Sequence, residues 1–219
     1  MLMAESARFV DARPMPVNRG AIEGTLVRLR PMMLDDVDAL YDAARFPEIW
    51  RHTATDPIES REHMAAYVAN ALVEEARGES LPFVVVDQMS RSVVGATRFA
   101  NINCSERRLA IGWTWLRPDT HGTGINGEMK ALMLRQAFDV WGALRVEIRT
   151  DVRNTRSRAA IERIGGTYEG TLRQQMIVRG RVRDTAYYSI IDLDWRDPSH
   201  RAHANALRYG IVPATSGPE

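Results

Sequence analysis

The sequence predicts an α/β (α+β) chain: a mixed, mostly antiparallel sheet with a central splayed parallel pair and helices on both faces. Three observations predict it. A strand-like run, Leu109 to Leu116, leads through the short loop His121-Gly-Thr-Gly124 into a helical pattern. Met129, Leu132, Met133, Ala137, Val140 and Trp141 lie on one face of that pattern. A further strand, Leu144 to Thr150, follows the helix. Strand, helix and strand make a crossover, so its two strands lie parallel. Apolar runs separated by turn residues on both sides of the crossover read as antiparallel hairpins.

In chain order, Gly24 to Arg30 alternates and reads as a strand, ended by Pro31. Asp35 and Asp36 suit a helix start, with Val37, Leu40, Tyr41 and Ala44 at helical spacing. A loop from Phe46 to Pro57 holds Trp50 and His52. Ser60 caps a second helix, with Met64, Tyr67, Val68, Ala71 and Leu72 on one face, ending near Gly78. Phe83 to Val86 and Ser92 to Phe99 are a strand pair turning at Met89, and Asn101 to Arg107 is a polar connection. After the crossover, Asp151 to Asn154 is a turn before a helix with Ala160, Ile161 and Ile164 inward. Gly165-Gly166 stops that helix. Tyr168 to Val178 and Arg183 to Leu193 form a hairpin at Gly180. The domain reading is an irregular lead-in over 1–18, a folded domain over 19–195 and an appendage over 196–219, weakly helical from His200 to Tyr209.

Composition bounds the function. The chain has 219 residues, 45% hydrophobic and 26% charged, with a net charge of +1. That fits a soluble globular domain and gives no sign of a nucleic-acid or membrane surface. No apolar run reaches the length of a membrane span, and the first residues lack the apolar stretch of a signal peptide. Cys104 is the single cysteine, so no internal disulfide forms, and a cytoplasmic setting fits. The histidines have no metal-site spacing, and no metal is inferred.

The glycine loop carries the chemistry. A loop entering a helix N-terminus presents free backbone N–H groups and the positive end of the helix dipole, which is a site for phosphate. A P-loop is excluded, because no Gly-Lys-Ser/Thr follows. A dinucleotide fingerprint resembles the loop in its glycines, but that fingerprint opens the first β-α unit, and here strands precede it.

Longer motifs surround the loop. Ile111-Gly-Trp-Thr-Trp-Leu116 with Pro118, His121-Gly-Thr-Gly-Ile-Asn126, Lys130 and Ala137-Phe138 resemble the Gcn5-related N-acetyltransferases. The chain is most similar to the branch that acetylates ribosomal-protein N-termini. Arg145 to Asp151, Asn154 with Ser157, Ile164-Gly-Gly166, Glu169-Gly170 with Leu172-Arg173, Gly180 and Arg183-Asp184 agree. The resemblance runs roughly from Val17 to Trp195 and implies that family's fold.

It also implies acyl-coenzyme A, most simply acetyl-coenzyme A, as the acyl donor, and an amine acceptor that is a small molecule or a peptide or protein N-terminus. The pantetheine arm would lie between the two parallel strands and pair with backbone at Trp115 and Leu116. The pyrophosphate would rest on His121, Gly122, Thr123, Gly124, Ile125 and Asn126. Asn154 would contact the pantetheine region, and its alternative role is a helix N-cap. Trp50, in the loop where acceptor sites lie in the family, is the acceptor-contact candidate. Trp113 and Trp115 read as packing residues. The family often forms homodimers, and nothing in the sequence fixes an interface.

Proton handling departs from the family. The usual tyrosine acid is replaced by Ile161, and Ser157 takes the acid role on the pattern of the ribosomal-protein branch. The usual glutamate base is replaced by Ala110. Glu169, Asp184 and His52 remain as substitutes, unranked by sequence. Asp119 stands where the family carries Gln or Arg beside the phosphate. With two usual positions empty, the alternative to an N-acyltransferase is a catalytically weak acyl-coenzyme A-binding sensor or scaffold.

Overall fold

The computed structural model describes residues 10–198. Its strands are β1 (Ile22–Glu23), β2 (Val27–Pro31), β3 (Ser80–Asp87), β4 (Val93–Asn103), β5 (Arg108–Leu116), β6 (Arg145–Asp151), β7 (Thr167–Val178) and β8 (Arg181–Ile191). Its α-helices are α1 (Val37–Ala44), α2 (Arg61–Ala76), α3 (Ile125–Arg135), α4 (Thr155–Arg163) and α5 (Asp192–Arg196). The strands form one 8-stranded sheet in the order β1-β2-β3-β4-β5-β6-β8-β7. Every pairing is antiparallel except β5 with β6, the two strands of the expected crossover.

Side-chain alternation along the strands builds a core on each face. Phe83, Val85, Phe99, Leu109, Ile111, Val146 and Ile148 pack under α3 and α4. Val84, Ala96 and Trp115 point the other way, against Leu40 of α1 and Met64, Tyr67 and Val68 of α2. Helix α2 starts where Ser60 accepts the His63 N–H at 3.2 Å, a cap that satisfies one free helical donor. Helix α3 runs into a π turn over Gln136–Val140 and stops before Gly142.

Several boundaries differ from the sequence expectation, each for a tertiary reason. The strand ended by Pro31 includes that residue, which stands opposite Phe83. Proline survives there because only the two-residue β1 covers β2 on its other side, and it reaches no further than Leu29. β4 extends through Asn103, into the expected polar connection, because Asn103 pairs with Arg108. β8 stops at Ile191, and the short α5 takes Asp192 and Leu193. The lead-in is irregular over residues 10–18 and contacts the sheet and α3 side of the fold. Met15 is buried at 4% exposure, and its N–H bonds to Cys104 O at 3.0 Å. Trp141 Nε1 donates to Asn18 Oδ1 at 3.0 Å. Residues 1–9 and the expected helix from His200 to Tyr209 lie outside the described residues.

Candidate active site

β5 and β6 pair only at their beginnings: Arg108 with Arg145, Leu109 with Val146, and Ala110 with Glu147. From Ile111 and Ile148 onward the strands no longer pair. Two facing backbone edges are left without ladder bonds, the geometry that receives an extended chain bearing amides. A second feature bends β5 at this point. Its register with β4 slips between Ala96 and Arg98, and Trp113 has φ of 49°. This bulge re-aims the strand. Gly95 permits it, since a Cβ there would meet Trp115 O at 2.1 Å.

The bulge separates the two tryptophans. Trp115 is 5% exposed, its Nε1 donating to Tyr67 Oη at 3.3 Å. Trp113 is 43% exposed, with the Arg98 guanidinium 5.5 Å from its ring centre. Packing holds for Trp115 and fails for Trp113, because the extra residue of a bulge breaks the alternation on which that expectation rested. Leu116 is buried in the core under α3.

The glycine loop follows β5. Gly122 and Gly124 have φ of 79° and 90°, conformations open to glycine and costly to other residues. Gly124 is the N-cap of α3, and the first helical bond runs from Glu128 N–H to Gly124 O. The N–H groups of Gly124, Ile125, Asn126 and Gly127 therefore have no helical acceptor. A helix N-terminus of this kind has the geometry to receive an anion. Gly122, Gly124 and Gly127 do have dinucleotide-fingerprint spacing, but the loop follows the fifth strand of a largely antiparallel sheet. Asp119 does not point its charge at this N-terminus unopposed, because Arg117 Nε donates to it at 2.6 Å. His121 Nδ1 lies 3.1 Å from Arg156 Nη1. Burial and then the Arg156 charge lower its pKa, and Asp119 and Glu48 oppose them.

Helix α4 borders the gap from β6. Asn154 Oδ1 accepts the Ser157 N–H at 3.1 Å, so Asn154 is the N-cap, and its amide nitrogen makes no bond among the described residues. Ser157 is half-buried in the first turn. Ile161 is 4% exposed and packs in the core.

The opposite face of the gap is roofed by the α1–α2 connection. The Arg179 guanidinium, from the β7–β8 turn, donates to the carbonyls of Trp50 at 2.8 Å, Thr53 at 3.1 Å and Thr55 at 2.9 Å. Trp50 itself is 2% exposed. Its Nε1 donates to Ala44 O at 3.0 Å, and its ring lies 5.5 Å from that of Trp115. Its side chain is a core anchor for the connection, and no face of it is left for an acceptor. His52, two residues on, has a buried Nδ1 with no hydrogen-bond partner. Burial lowers its pKa, Asp151 opposes this, and Arg153, Arg51 and Arg156 lower it further.

The carboxylates near the gap are engaged. Glu169 accepts Arg145 through both oxygens and Ser189 Oγ at 2.6 Å, and the Arg145 hydrogen bonds hold it at about 2. Glu147 pairs with Arg145 and Arg149. Burial raises the Asp151 carboxyl, but hydrogen bonds from Arg153 and Arg181 outweigh this and hold it well below the usual range. Asp184 Oδ1 accepts the Gln174 N–H at 2.7 Å.

Two charged residues on α3 are buried: Glu128, which the sequence did not single out, and Lys130, which it offered only as part of a motif. Glu128, 0% exposed, accepts the N–H groups of Thr25, Leu26 and Val27 at 2.7, 2.6 and 2.8 Å. Lys130, 7% exposed, donates to Thr114 Oγ1 at 2.7 Å, directly under the β5 bulge. Burial alone lowers its pKa to about 7. An apolar-face pattern shows where a helix packs and does not reveal a charge placed within that face.

Splayed parallel strands, a bulged strand and a glycine-capped helix define the class of the protein. A family model described as the acetyltransferase (GNAT) domain matches residues 27–167. The chain belongs to the GNAT acetyltransferase family. It is 33% identical over 104 residues to YdaF of Bacillus subtilis (strain 168), provisionally named a ribosomal N-acetyltransferase, covering 48% of this chain and 56% of that one. A GCN5-related N-acetyltransferase from Brucella melitensis superposes with a TM-score of 0.82 at 29% identity, covering 89% of this chain and 88% of that one. RimL, a ribosomal L7/L12 acetyltransferase solved with coenzyme A, shares the fold at a TM-score of 0.71 and 23% identity, over 80% of this chain and 100% of that one. No helix among the described residues is long and apolar enough to cross a membrane. Among the same residues no group of three or more His, Cys, Asp and Glu could hold a metal ion.

Proposed function

We propose that the protein transfers an acetyl group from acetyl-coenzyme A to a primary amine by direct attack in a ternary complex. The observation that carries this reading is the gap between β5 and β6 beyond Ala110 and Glu147, which opens onto the free N–H groups of Gly124 to Gly127. The unpaired strand edges would bind the pantetheine amides, and the loop from His121 to Asn126 would bind the pyrophosphate. A β5 backbone N–H near Trp115, turned by the bulge, would hold the developing oxyanion.

The new N–C bond forms as the C–S bond breaks, so one proton must leave the amine and one must reach the sulfur. His52 takes the first role in this reading, directly or through a water. Its rivals Glu169 and Asp184 are tied up in hydrogen bonds, and Glu169 is too weak a base. Ser157 protonates the departing thiolate, since its hydroxyl is uncommitted and Ile161 cannot serve. Asn154 orients the pantetheine while capping α4.

Thiol release from acetyl-coenzyme A against a panel of amines and peptides tests the reading. Amine-dependent release supports it. Tight coenzyme A binding with no release on any acceptor would mark a sensor or scaffold instead. Full turnover by Ser157→Ala would remove that residue from the proton route.

A further inference from the structure

Four guanidinium groups gather where β6, the β7–β8 hairpin and the α1–α2 connection meet, and one buried carboxylate answers them. Asp151 takes Arg153 at 3.1 Å and Arg181 at 3.0 Å. Arg179 spends its donors on the carbonyls of Trp50, Thr53 and Thr55 and has the exposed Asp56 at 3.8 Å. Arg183 is left over. It is 6% exposed, its Nε has no hydrogen-bond partner, and it forms no ion pair among the described residues. Burial works against its charge, Asp151 supports it, and the lesser effects of Arg181, Arg179 and Arg153 work against it. A guanidinium stays protonated in such a place, so the unpaired buried charge is costly unless a counter-charge arrives.

Other polar atoms wait at the same place. Of six buried side-chain atoms lacking a partner among the described residues, four are His52 Nδ1, Gln175 Oε1, Arg183 Nε and Thr185 Oγ1. Arg183 and Thr185 are two apart on β8 and share a face. That face is opposite to Ala186, Tyr188 and Ile190, which pack under α3 and α4. It is therefore the face toward α1 and α2. Thr185 pairs with Asp151 across β6, and Arg183 stands opposite Met176, the neighbour of Gln175. His52 and Arg183 both feel the Asp151 and Arg153 charges. Asp184 is on the other side of the strand and is held by the Gln174 N–H.

We propose that Arg183, with Thr185, forms an acceptor subsite for a carboxylate, so that the acceptor is an amine that also carries a carboxylate. The guanidinium fork donates two parallel hydrogen bonds to a carboxylate, and the Thr185 hydroxyl donates a third. Gln175 Oε1 is an acceptor, and its Nε2 donates to Tyr187 Oη at 3.1 Å, so Gln175 takes no part in holding the carboxylate. The carboxylate has two sources, a free amino acid or an acidic residue at a peptide N-terminus. This proposal rests on the acyltransferase reading above.

The test compares matched acceptors: alanine with alaninamide, and Glu-Ala-Ala-amide with Gln-Ala-Ala-amide. Each pair is assayed for kcat/KM and titrated calorimetrically into the coenzyme A-loaded protein. In one pair the carboxylate is expected to win by about 10- to 100-fold, the range of a hydrogen bond to a charged group. That pair identifies the source. Arg183→Gln should bring the ratio near one while the KM for acetyl-coenzyme A stays unchanged, and Arg183→Lys should keep part of the preference. A ratio near one in both wild-type pairs, or a ratio that survives Arg183→Gln, overturns the subsite. The two readings fail separately. Discrimination in binding without thiol release on any acceptor upholds the subsite and sinks the acyltransferase, and thiol release without discrimination does the reverse.

Discussion

Lys130 Nζ lies 2.7 Å from Thr114 Oγ1, which lies 2.8 Å from Thr97 Oγ1, so a buried amine on α3 supports the β5 bulge from below. No carboxylate pairs with it among the described residues. Its pKa of about 7 is below the ordinary 10.5, so between those values the unfolded chain binds a proton that the folded protein does not. Stability should then rise with pH across that window, by at most about 1.4 kcal/mol per unit, and the penalty of burying the charge should be fully present below pH 7. Urea midpoints measured from about pH 6.5 to about pH 9.5 should climb in the wild type. In Lys130→Met this component of the slope should vanish. An identical slope in the variant would show that Lys130 is not the titrating group.

Glu128 ties α3 to the turn between β1 and β2 through three backbone donors. Removing the carboxylate strands three N–H groups, at about 1–3 kcal/mol each for those that water cannot reach. Glu128→Ala should lose at least about 3 kcal/mol in urea unfolding. Gly24 should be intolerant for the same reason, since a Cβ there would sit 2.7 Å from Glu128 Oε2.

Gly124 holds φ of 90° at the α3 N-cap. A valine there pays the left-handed backbone penalty, about 1–2 kcal/mol, and puts a side chain where the phosphates would sit. Gly124→Val should remain folded and lose at least about tenfold in coenzyme A affinity by calorimetry. Unchanged affinity would remove the loop from the cofactor site.

His52 must be neutral to accept a proton, and its pKa is lowered below the ordinary 6.5 by burial, with Arg153, Arg51 and Arg156 adding to this and Asp151 opposing it. With an acceptor amine that is already neutral, kcat/KM should fall only at pH below that value. In His52→Gln the acid limb should disappear and the rate should drop by about 100-fold. A variant that keeps both rate and limb would return the role to solvent.

The crossover and its loop were legible because their signals are local. Glycines at 122 and 124 sit between a β-patterned run and a helix-patterned run, and the φ values of 79° and 90° explain why they are glycines. The acceptor side was not legible. Trp50 and Trp113 are both tryptophans in suggestive places, and their fates are opposite, one buried at 2% and the other 43% exposed. The difference is made by Ala44, which takes the Trp50 N–H, and by a bulge whose sequence sign is Gly95 on the neighbouring strand. Glu128 finds its partners more than 100 residues away in the chain, beyond any spacing rule. Arg183-Asp184 was visible as a motif, but that Arg183 Nε is buried without a partner among the described residues depends on where Asp151 spends its oxygens.

The central claim is acetyl transfer to an amine, and it is tested most directly by measuring coenzyme A and N-acetylated amine in the same reaction. The two are expected in equal amounts, both dependent on the acceptor and both lost in Gly124→Val. Coenzyme A released without N-acetylated product, or no product from any amine despite tight cofactor binding, would contradict it.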